Sequence, residues 1–136
     1  MKRKMGTFHS TEEAREYFKK DVYAFNAGMV LEELGEDYAL CSVPVHEGLY
    51  NANGGVQGGA IFTLADLAFA ALVNQIHMPS VAQQVSVNFL SAPKGSRLFA
   101  RAELKKNGRT SSVVNVYVTD DTGRDIAQYT GIGFKL

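Results

Sequence analysis

The chain has 136 residues, the length of one ordinary domain, and its apolar fraction of 46% is sufficient for a single core. Lysine and arginine together number 14, as do aspartate and glutamate, so the bulk charge does not favour nucleic acid as a partner. The single cysteine, Cys41, cannot form an internal disulfide, so a reducing compartment fits the protein. We expect the Cys41 side chain to be a small apolar group of the core.

The start of the chain does not have the pattern of a secretory signal. Lys2, Arg3 and Lys4 are basic, but no apolar stretch follows them. The most apolar segment, 60–73, is shorter than the roughly 20 residues that cross a bilayer, and Asp66 interrupts it. The sequence therefore predicts a soluble, cytoplasmic protein without a membrane partner.

The first predicted element is an amphipathic helix from about Thr11 to Phe25. Ser10 and Glu13 have the spacing of a capping box at its start, and residues 26–28 end it with a glycine. The following segments, MVLEEL and YALCSVPV, are typical of two short strands, because the GED between them is a tight-turn sequence.

A buried helix is predicted next. A loop rich in glycine and asparagine, HEGLYNANGG, leads into a segment that is apolar on nearly every side from Ile61 to Ile76. Its alanine content and length favour a helix over a strand. Asp66 lies within it, and a buried carboxylate without a partner is costly. Asp66 therefore has either a partner or a function that uses its desolvation.

The remainder alternates with period two and predicts four strands joined in a long antiparallel meander, with hairpin signals at KNGR and DDTGR. The order of helix, two strands, buried helix and four strands indicates an α+β fold. In this fold a curved antiparallel sheet of about six strands wraps a central helix. Because the sheet covers only one side of that helix, we expect a second copy of the chain to cover the rest.

The run NANGGVQGGAIFTLADLAFA, residues 51–70, resembles the signature of the hotdog-fold acyl-CoA thioesterases, in particular their phenylacetic-acid-degradation (PaaI-like) branch. VSVNFLSAP and IAQYTGIGF resemble further strands of that family, so the resemblance covers about residues 26–135. It implies a single hotdog domain over 1–136 that hydrolyses an acyl-CoA thioester without a metal or organic cofactor. It also implies a dimer or a dimer of dimers, with the active site at a dimer interface.

The resemblance assigns roles to residues of the signature. Asp66 is the catalytic carboxylate, acting as general base for water or as nucleophile. Gly58 donates its backbone N–H to the thioester carbonyl oxygen, and Asn51 helps to hold the water or the carboxylate, both from the neighbouring subunit. Elementary chemistry agrees, because helix starts present unpaired N–H groups, glycine permits close approach, and desolvation raises the basicity of a carboxylate. Gly59 is expected to contact the substrate in the same turn.

Gln57 departs from the pattern, since many members of the family have histidine there. Glutamine donates a hydrogen bond to a carbonyl group, but it does not carry a proton in and out near neutral pH. We expect Gln57 to orient the thioester. The alternatives are a cap of the helix or a loop hydrogen bond without a role in the chemistry, or a slow or inactive protein. His46 is expected to be structural and His77 to support the end of the helix.

A basic segment is a second candidate binding surface. Six basic residues and one acid lie between Lys94 and Arg109, several of them alternating outward on one strand. Because CoA carries a pyrophosphate and a ribose phosphate, this strip is a candidate phosphate site, with Arg109 first and Lys106 second. Thr110 offers a hydroxyl group at the turn. The alternative is a solvated strand face.

Two other functions fit the same residues. The first is a non-hydrolysing hotdog protein that binds or senses acyl-CoA, in which Gln57 marks lost chemistry. The second is a hotdog hydratase or dehydratase that acts on 3-hydroxyacyl thioesters. Such enzymes typically pair a histidine with the acid, and no histidine occupies the expected loop position here. No grouping of His, Cys, Asp and Glu has metal-ligand spacing, so no metal is expected.

Overall fold

The computed structural model describes residues 6–136, so the basic start at residues 2–4 lies outside the described residues. The part it describes contains one long helix, two short helices, a 3-10 turn and a single six-stranded sheet, which confirms the predicted α+β architecture. In chain order the elements are α1 (Thr11–Phe18), α2 (Val22–Asn26), β1 (Val30–Leu34), β2 (Tyr38–Pro44), the 3-10 turn (Glu47–Leu49), α3 (Gly58–Ile76), β3 (Ser80–Phe89), β4 (Arg97–Asn107), β5 (Ser111–Asp120) and β6 (Asp125–Lys135).

The N-terminal helix is two helices rather than one. Ser10 caps α1 as predicted, because its Oγ accepts from the Glu13 N–H at 3.0 Å. The helix ends at Phe18, and Asp21 caps α2 by accepting from the Ala24 N–H at 3.2 Å. An aspartate that bonds to the backbone three residues ahead starts a new helix and competes with continuation of the old one. The prediction of one continuous helix is therefore wrong.

The sheet has the order β1-β2-β4-β5-β6-β3, with antiparallel neighbours throughout. β4, β5 and β6 form a meander as predicted, but β3 pairs with β6 and not with β4, which follows it in the chain. The prediction of a four-strand meander is thus wrong for β3. The connection that carries the chain across the sheet is fixed by Asp120, whose carboxylate accepts from the N–H groups of Lys94 and Gly95. As a result β3 is an edge strand.

The core lies between α3 and the inner face of the sheet. Leu98, Ala100 and Ala102 of β4 point into it, which confirms the predicted alternation of that strand. Cys41 is also fully buried there, as predicted, and burial raises the pKa of its thiol far above the ordinary value. The buried residues of α3 are Ile61, Leu64, Ala65, Leu67, Ala68, Phe69, Ala71, Leu72 and Val73.

The central helix is longer than its most apolar segment. In the part of the chain that the structure describes, α3 is the one helix whose 19 residues have the length and hydropathy of a membrane span. Half of its apolar window is buried inside the fold. That burial is typical of the core helix of a globular domain, the place that the sequence predicted for it.

Candidate active site

Asp66 lies midway along α3 and is half-buried. The phenolic O–H of Tyr129 on β6 donates to its Oδ1 at 2.6 Å. Within residues 6–136, Tyr129 is the only hydrogen-bond partner of this carboxylate. The buried carboxylate thus has a partner, but the partner is neutral: burial raises the pKa of the Tyr129 phenol far above the ordinary value, and the bond to Asp66 raises it further.

The surroundings of Asp66 make it a stronger base than an exposed aspartate. Burial raises its pKa above the usual value, and the hydrogen bond from Tyr129 opposes that rise. The negative charge of Asp21, at the start of α2, raises the pKa further. Because burial is the largest of these effects, the net shift is upward, which suits a group that must take a proton from water near neutral pH.

Tyr129 was not found by sequence reasoning. Its ring is fully buried, with its centroid 5.6 Å from that of Phe62 and 5.7 Å from that of Phe69. In the sequence it is one of several large residues on the inner face of β6, and it lies 63 positions from Asp66. No local spacing links the two residues, because only the packing of α3 on the sheet brings them together.

Gly58 and Gly59 form the first turn of α3, where the backbone N–H groups have no preceding helical carbonyl to bond. A Cβ at Gly58 would lie 3.5 Å from the Phe89 ring, and a Cβ at Gly59 would lie 3.6 Å from Cγ of Gln57. Both distances are ordinary van der Waals contacts, so the fold of one chain does not require glycine at either position. The space that they leave open faces outward and permits close approach of another group.

Gln57 is the N-cap residue of α3, but its side chain makes no capping hydrogen bond. The backbone of Gln57 makes the local hydrogen bonds instead. Its N–H donates to the Leu49 carbonyl at 2.8 Å, and its carbonyl accepts from the Ala60 N–H at 2.9 Å. The side chain of Gln57 therefore does not cap α3, whereas a role limited to holding the helix start and the loop, without a part in the chemistry, stays an alternative. The exposed carboxamide has no partner among residues 6–136 and is available to a ligand.

Asn51 closes the glycine-rich loop before α3. Its Oδ1 accepts from the N–H groups of Asn53 at 2.9 Å and Gly55 at 3.2 Å. Gly54, between them, has a positive φ of 82°, which glycine adopts without strain. These bonds use the oxygen of the Asn51 carboxamide, whereas its NH₂ group has no partner in the described part of the chain. Asn51 can therefore still donate a hydrogen bond to a water molecule or a carboxylate.

A cavity of about 340 Å³ opens beside the start of α3. Gln57 and Ala60, on either side of the two glycines, form one wall. The opposite walls come from the end of α2 and from the 3-10 turn, so the cavity is bounded by aromatic, aliphatic and amide groups. The remaining lining residues are Tyr23, Asn26, Ala27, Met29, Gly48, Leu49 and Tyr50.

One chain does not bring all the predicted catalytic groups together. Gly58 and Asp66 lie eight residues apart on α3. With a rise of 1.5 Å per residue, they are about 12 Å apart along the helix axis. That distance is too large for one thioester carbonyl group to contact both the Gly58 N–H and the Asp66 carboxylate.

The predicted phosphate-binding residues also lie away from the start of α3. Arg109, Lys106 and Thr110 are exposed, at or beside the turn between β4 and β5. The Thr110 carbonyl accepts from the Lys135 N–H at 2.9 Å, and Lys135 pairs with Ser80, just beyond the end of α3. This turn is therefore at the opposite end of α3 from the two glycines. The predicted role of these residues stays a prediction.

The histidines have structural partners. Nε2 of His46 contacts the Ala27 carbonyl at 2.8 Å, and its Nδ1 accepts from the Gly48 N–H at 3.1 Å, which fits the predicted structural role. His77 caps the end of α3, and its Nε2 contacts the Leu136 carbonyl at 3.1 Å. Across residues 6–136, no group of three or more His, Cys, Asp or Glu side chains is placed to hold a metal ion.

Comparison with known families decides the class of the protein. The family model of the thioesterase superfamily matches residues 53–127. The chain belongs to the thioesterase superfamily. A putative esterase of Deinococcus radiodurans is 32% identical over 111 residues, which are 80% of this chain and 75% of that protein. The acyl-coenzyme A thioesterase PaaI of Escherichia coli is 25% identical over 126 residues, which are 92% of this chain and 90% of that protein.

Solved thioesterase structures have the same fold. The structure of E. coli PaaI aligns with a TM-score of 0.85 at 23% identity and covers 92% of this chain and 91% of its own. A hypothetical thioesterase of Streptococcus pneumoniae, crystallised with coenzyme A, aligns with a TM-score of 0.78 at 27% identity and covers 86% and 94%. The hotdog fold and the PaaI-like resemblance are thereby confirmed, and this member of the thioesterase superfamily is a thioester hydrolase.

Proposed function

We propose that the protein hydrolyses acyl-CoA thioesters to the free acid and CoA at a site shared by two chains. The observation that carries this proposal is Asp66, a half-buried carboxylate with a single neutral partner on the helix whose start bears two glycines. Two comparisons support acyl-CoA as the substrate class. E. coli PaaI is named an acyl-CoA thioesterase, and the S. pneumoniae protein was crystallised with coenzyme A.

Asp66 begins the reaction. As general base, it takes a proton from a water molecule while the water oxygen bonds to the thioester carbonyl carbon. The electron pair of the C=O bond moves to the oxygen. The tetrahedral intermediate then collapses, the C–S bond breaks, and the CoA thiolate leaves and takes up the proton that Asp66 holds, which regenerates the carboxylate. In the nucleophilic alternative, the carboxylate itself attacks the carbonyl carbon, the C–S bond breaks and the CoA thiolate leaves. Water then hydrolyses the resulting anhydride to the free acid and the Asp66 carboxylate, and the thiolate takes up a proton from that water.

Gly58 stabilises the charge that develops on the carbonyl oxygen. Its N–H is not used by the helix and lies at the positive end of the helix dipole. A fixed donor of this kind favours the tetrahedral state over the ground state. Gln57 donates its free carboxamide N–H to the same carbonyl group and orients it, and the free NH₂ group of Asn51 holds the attacking water. Gly59 leaves room for the acyl-CoA beside them.

The edge strand β3 is where we place the second chain. Within residues 6–136, β3 is bonded to β6 alone, and Val81, Phe89 and Leu90 are each about half exposed. Phe89 lies beside the start of α3, within 3.5 Å of a Cβ built at Gly58. A partner on this edge therefore also meets the oxyanion donors. A two-fold axis perpendicular to β3 makes the two β3 strands run antiparallel and gives each site Gly58 and Asn51 from one chain and Asp66 from the other.

The same antiparallel pairing of two β3 strands gives the basic turn between β4 and β5 a place beside the site. When two β3 strands run antiparallel, the Phe89 end of one lies beside the Ser80 end of the other. The Ser80 end carries the turn with Arg109, Lys106 and Thr110. These residues of one chain are then near the glycines of its partner, where they contact the phosphates of CoA. A cytoplasmic location and assembly into a dimer or a dimer of dimers belong to the same proposal.

The test is a thiol-release assay with a panel of acyl-CoA thioesters that carry aromatic, short and medium acyl groups. We expect the wild-type protein to release CoA from at least one class. The Asp66→Asn variant should be slower by about 10³-fold, with an unchanged mass in solution and an unchanged circular dichroism spectrum. Asp37→Asn is the matched control, because Asp37 is an exposed aspartate in the β1–β2 turn.

The other outcomes point to the alternative functions. Binding of acyl-CoA without thiol release by the wild-type protein would contradict hydrolysis and indicate a binding or sensing protein. Interconversion of 3-hydroxyacyl and enoyl thioesters, followed by absorbance, would indicate a hydratase or dehydratase instead. Full thioesterase activity of Asp66→Asn would remove Asp66 from the mechanism.

A further inference from the structure

We propose that Tyr129 is the positioning residue of the Asp66 carboxylate: its phenolic O–H fixes Oδ1 and leaves Oδ2 as the oxygen that acts on water or thioester. The catalytic consequence of this inference rests on the proposed hydrolysis. The contact itself does not, because it is a property of the single chain. Tyr129 is no part of the signature at residues 51–70, and it comes from the opposite layer of the fold.

The contact has the geometry of a strong hydrogen bond. The O–H···O distance of 2.6 Å is in the range of bonds between a hydroxyl group and an ionised carboxylate. Tyr129 is completely buried, so its hydroxyl group has no competing water. Among residues 6–136, no donor is bonded to Oδ2 of Asp66. The two carboxylate oxygens are therefore not equivalent: one is bonded and the other is free.

The position of the hydroxyl group is set by the sheet. Tyr129 pairs with Val116 of β5 on one side and with Val87 of β3 on the other. Its ring packs against Phe62 and Phe69, one turn before and one turn after Asp66 on α3. These contacts restrain both the backbone and the ring, so the hydroxyl group is a fixed point against which the carboxylate is oriented.

A phenol suits this role because it donates without bringing a charge. Burial and the bond to Asp66 both raise the pKa of Tyr129, so it keeps its proton at neutral pH. The groups that act on Asp66 electrostatically are Tyr129 from β6 and Asp21 from the start of α2. Burial and Asp21 favour the protonated carboxyl group, and the bond from Tyr129 favours the ionised one. Tyr129 thus favours the ionised form of the base as well as orienting it.

The test compares Tyr129→Phe with Tyr117→Phe. Tyr129→Phe deletes one oxygen atom and keeps the ring between Phe62 and Phe69. Tyr117→Phe deletes the same atom from an exposed tyrosine on β5. We expect Tyr129→Phe to lower kcat about tenfold with KM unchanged. It should also move the acid limb of the pH profile of kcat/KM to higher pH, because the bond that lowers the pKa of Asp66 is gone. Tyr117→Phe should match the wild type.

A second measurement does not depend on activity. In protein labelled with ¹³C at the aspartate carboxyl carbon, the Asp66 signal is assigned by its loss in Asp66→Asn and then titrated. We expect this carboxyl group to titrate at higher pH in Tyr129→Phe than in the wild type. If the wild-type protein releases no thiol, the proposed function fails, but this titration still tests the contact.

Three results would overturn the inference. The first is an Asp66 titration that is the same in Tyr129→Phe and in the wild type. The second is a kcat and an acid limb that both stay at wild-type values. The third is a lower kcat with an unmoved acid limb, which would show that Tyr129 supports the core and not the carboxylate.

Discussion

Gly58 and Asp66 lie on the same helix, eight residues and about 12 Å apart along its axis. The first offers an unused N–H at the helix start, and the second a half-buried base at the helix centre. In the proposed mechanism, one helix therefore carries both halves of the site but cannot bring them together. Two helices that lie side by side in opposite directions would bring them together and form two equivalent sites.

Replacement of Asp66 should stabilise the protein in a pH-dependent way. Burial raises the pKa of Asp66 above its unfolded value of about 3.9, so the folded chain holds this proton more tightly than the unfolded chain. The stability from this group is complete below the unfolded pKa and is lost as pH rises through the folded pKa. We expect Asp66→Asn to have a higher Tm than the wild type at pH 7.

Scanning calorimetry across the acid range checks this sign. The Tm advantage of Asp66→Asn should shrink as the pH falls and be smallest below the unfolded pKa of about 3.9, where the carboxyl group is protonated in the folded and the unfolded chain alike. Asp37→Asn, on the surface, should show no such trend. A Tm difference that is constant with pH would mean that the ionisation of Asp66 does not cost stability in the folded protein.

Gly58→Pro isolates the proposed oxyanion donor. Proline is tolerated at the first position of a helix, and Gln57 before it already has the extended ψ of 134° that a following proline requires. This variant loses the N–H and keeps the helix, and we expect kcat to fall about 10²–10³-fold. Gly58→Ala keeps the N–H and is the matched control, with a smaller loss. Equal kcat values for the two variants would exclude this N–H as the donor.

Gln57→His restores the residue that many members of the family have. Because the Gln57 side chain makes no bond within the described part of the chain, its replacement costs no structural contact. We expect Gln57→His to keep or raise kcat/KM with the best acyl-CoA of the panel. A large loss would show that the carboxamide is a specific part of this enzyme.

Arg109→Ala tests the phosphate surface. We expect KM for acyl-CoA to rise about tenfold, because a charge-assisted hydrogen bond to a phosphate is lost. A thioester of a short thiol without phosphates should be hydrolysed at the wild-type rate. Arg101→Ala is the control, since Arg101 lies on β4, the strand that leads into this turn, but pairs with Glu103 at 3.1 Å. An unchanged KM for acyl-CoA in Arg109→Ala would leave this turn as a solvated surface.

Patterns of short range predicted the elements well. The apolar character of residues 61–76 on nearly every side, with their alanine content and length, identified α3; the alternation identified β4, and the spacing of Ser10 and Glu13 identified the first cap. The sequence pattern did not predict the break between α1 and α2, because an aspartate such as Asp21 is also common on the surface of a continuous helix. Its hydrogen bond with the Ala24 N–H is visible only in the structure. The competition between such a side-chain bond and continuation of the helix leaves little trace in the spacing of apolar residues.

Relationships of long range were not predictable from spacing. The pairing of β3 with β6 depends on where the chain crosses the sheet after Phe89. The alternation of apolar and polar residues along a strand does not show which strand it pairs with. The bond between Tyr129 and Asp66 depends on how α3 packs on the sheet. The glycine turn and the carboxylate were predictable because their chemistry is local to one helix; the partner of the carboxylate was not.

Complementation between two inactive variants tests the shared site most directly. Asp66→Asn and Gly58→Pro are co-expressed with different tags, and the thiol-release rate of the mixture is compared with that of each variant alone. With random pairing, half of the dimers are mixed, and one of the two sites in each mixed dimer holds an intact Asp66 and an intact Gly58. A site shared between two chains therefore predicts about a quarter of the wild-type rate. A mixture no faster than the separate variants would contradict it.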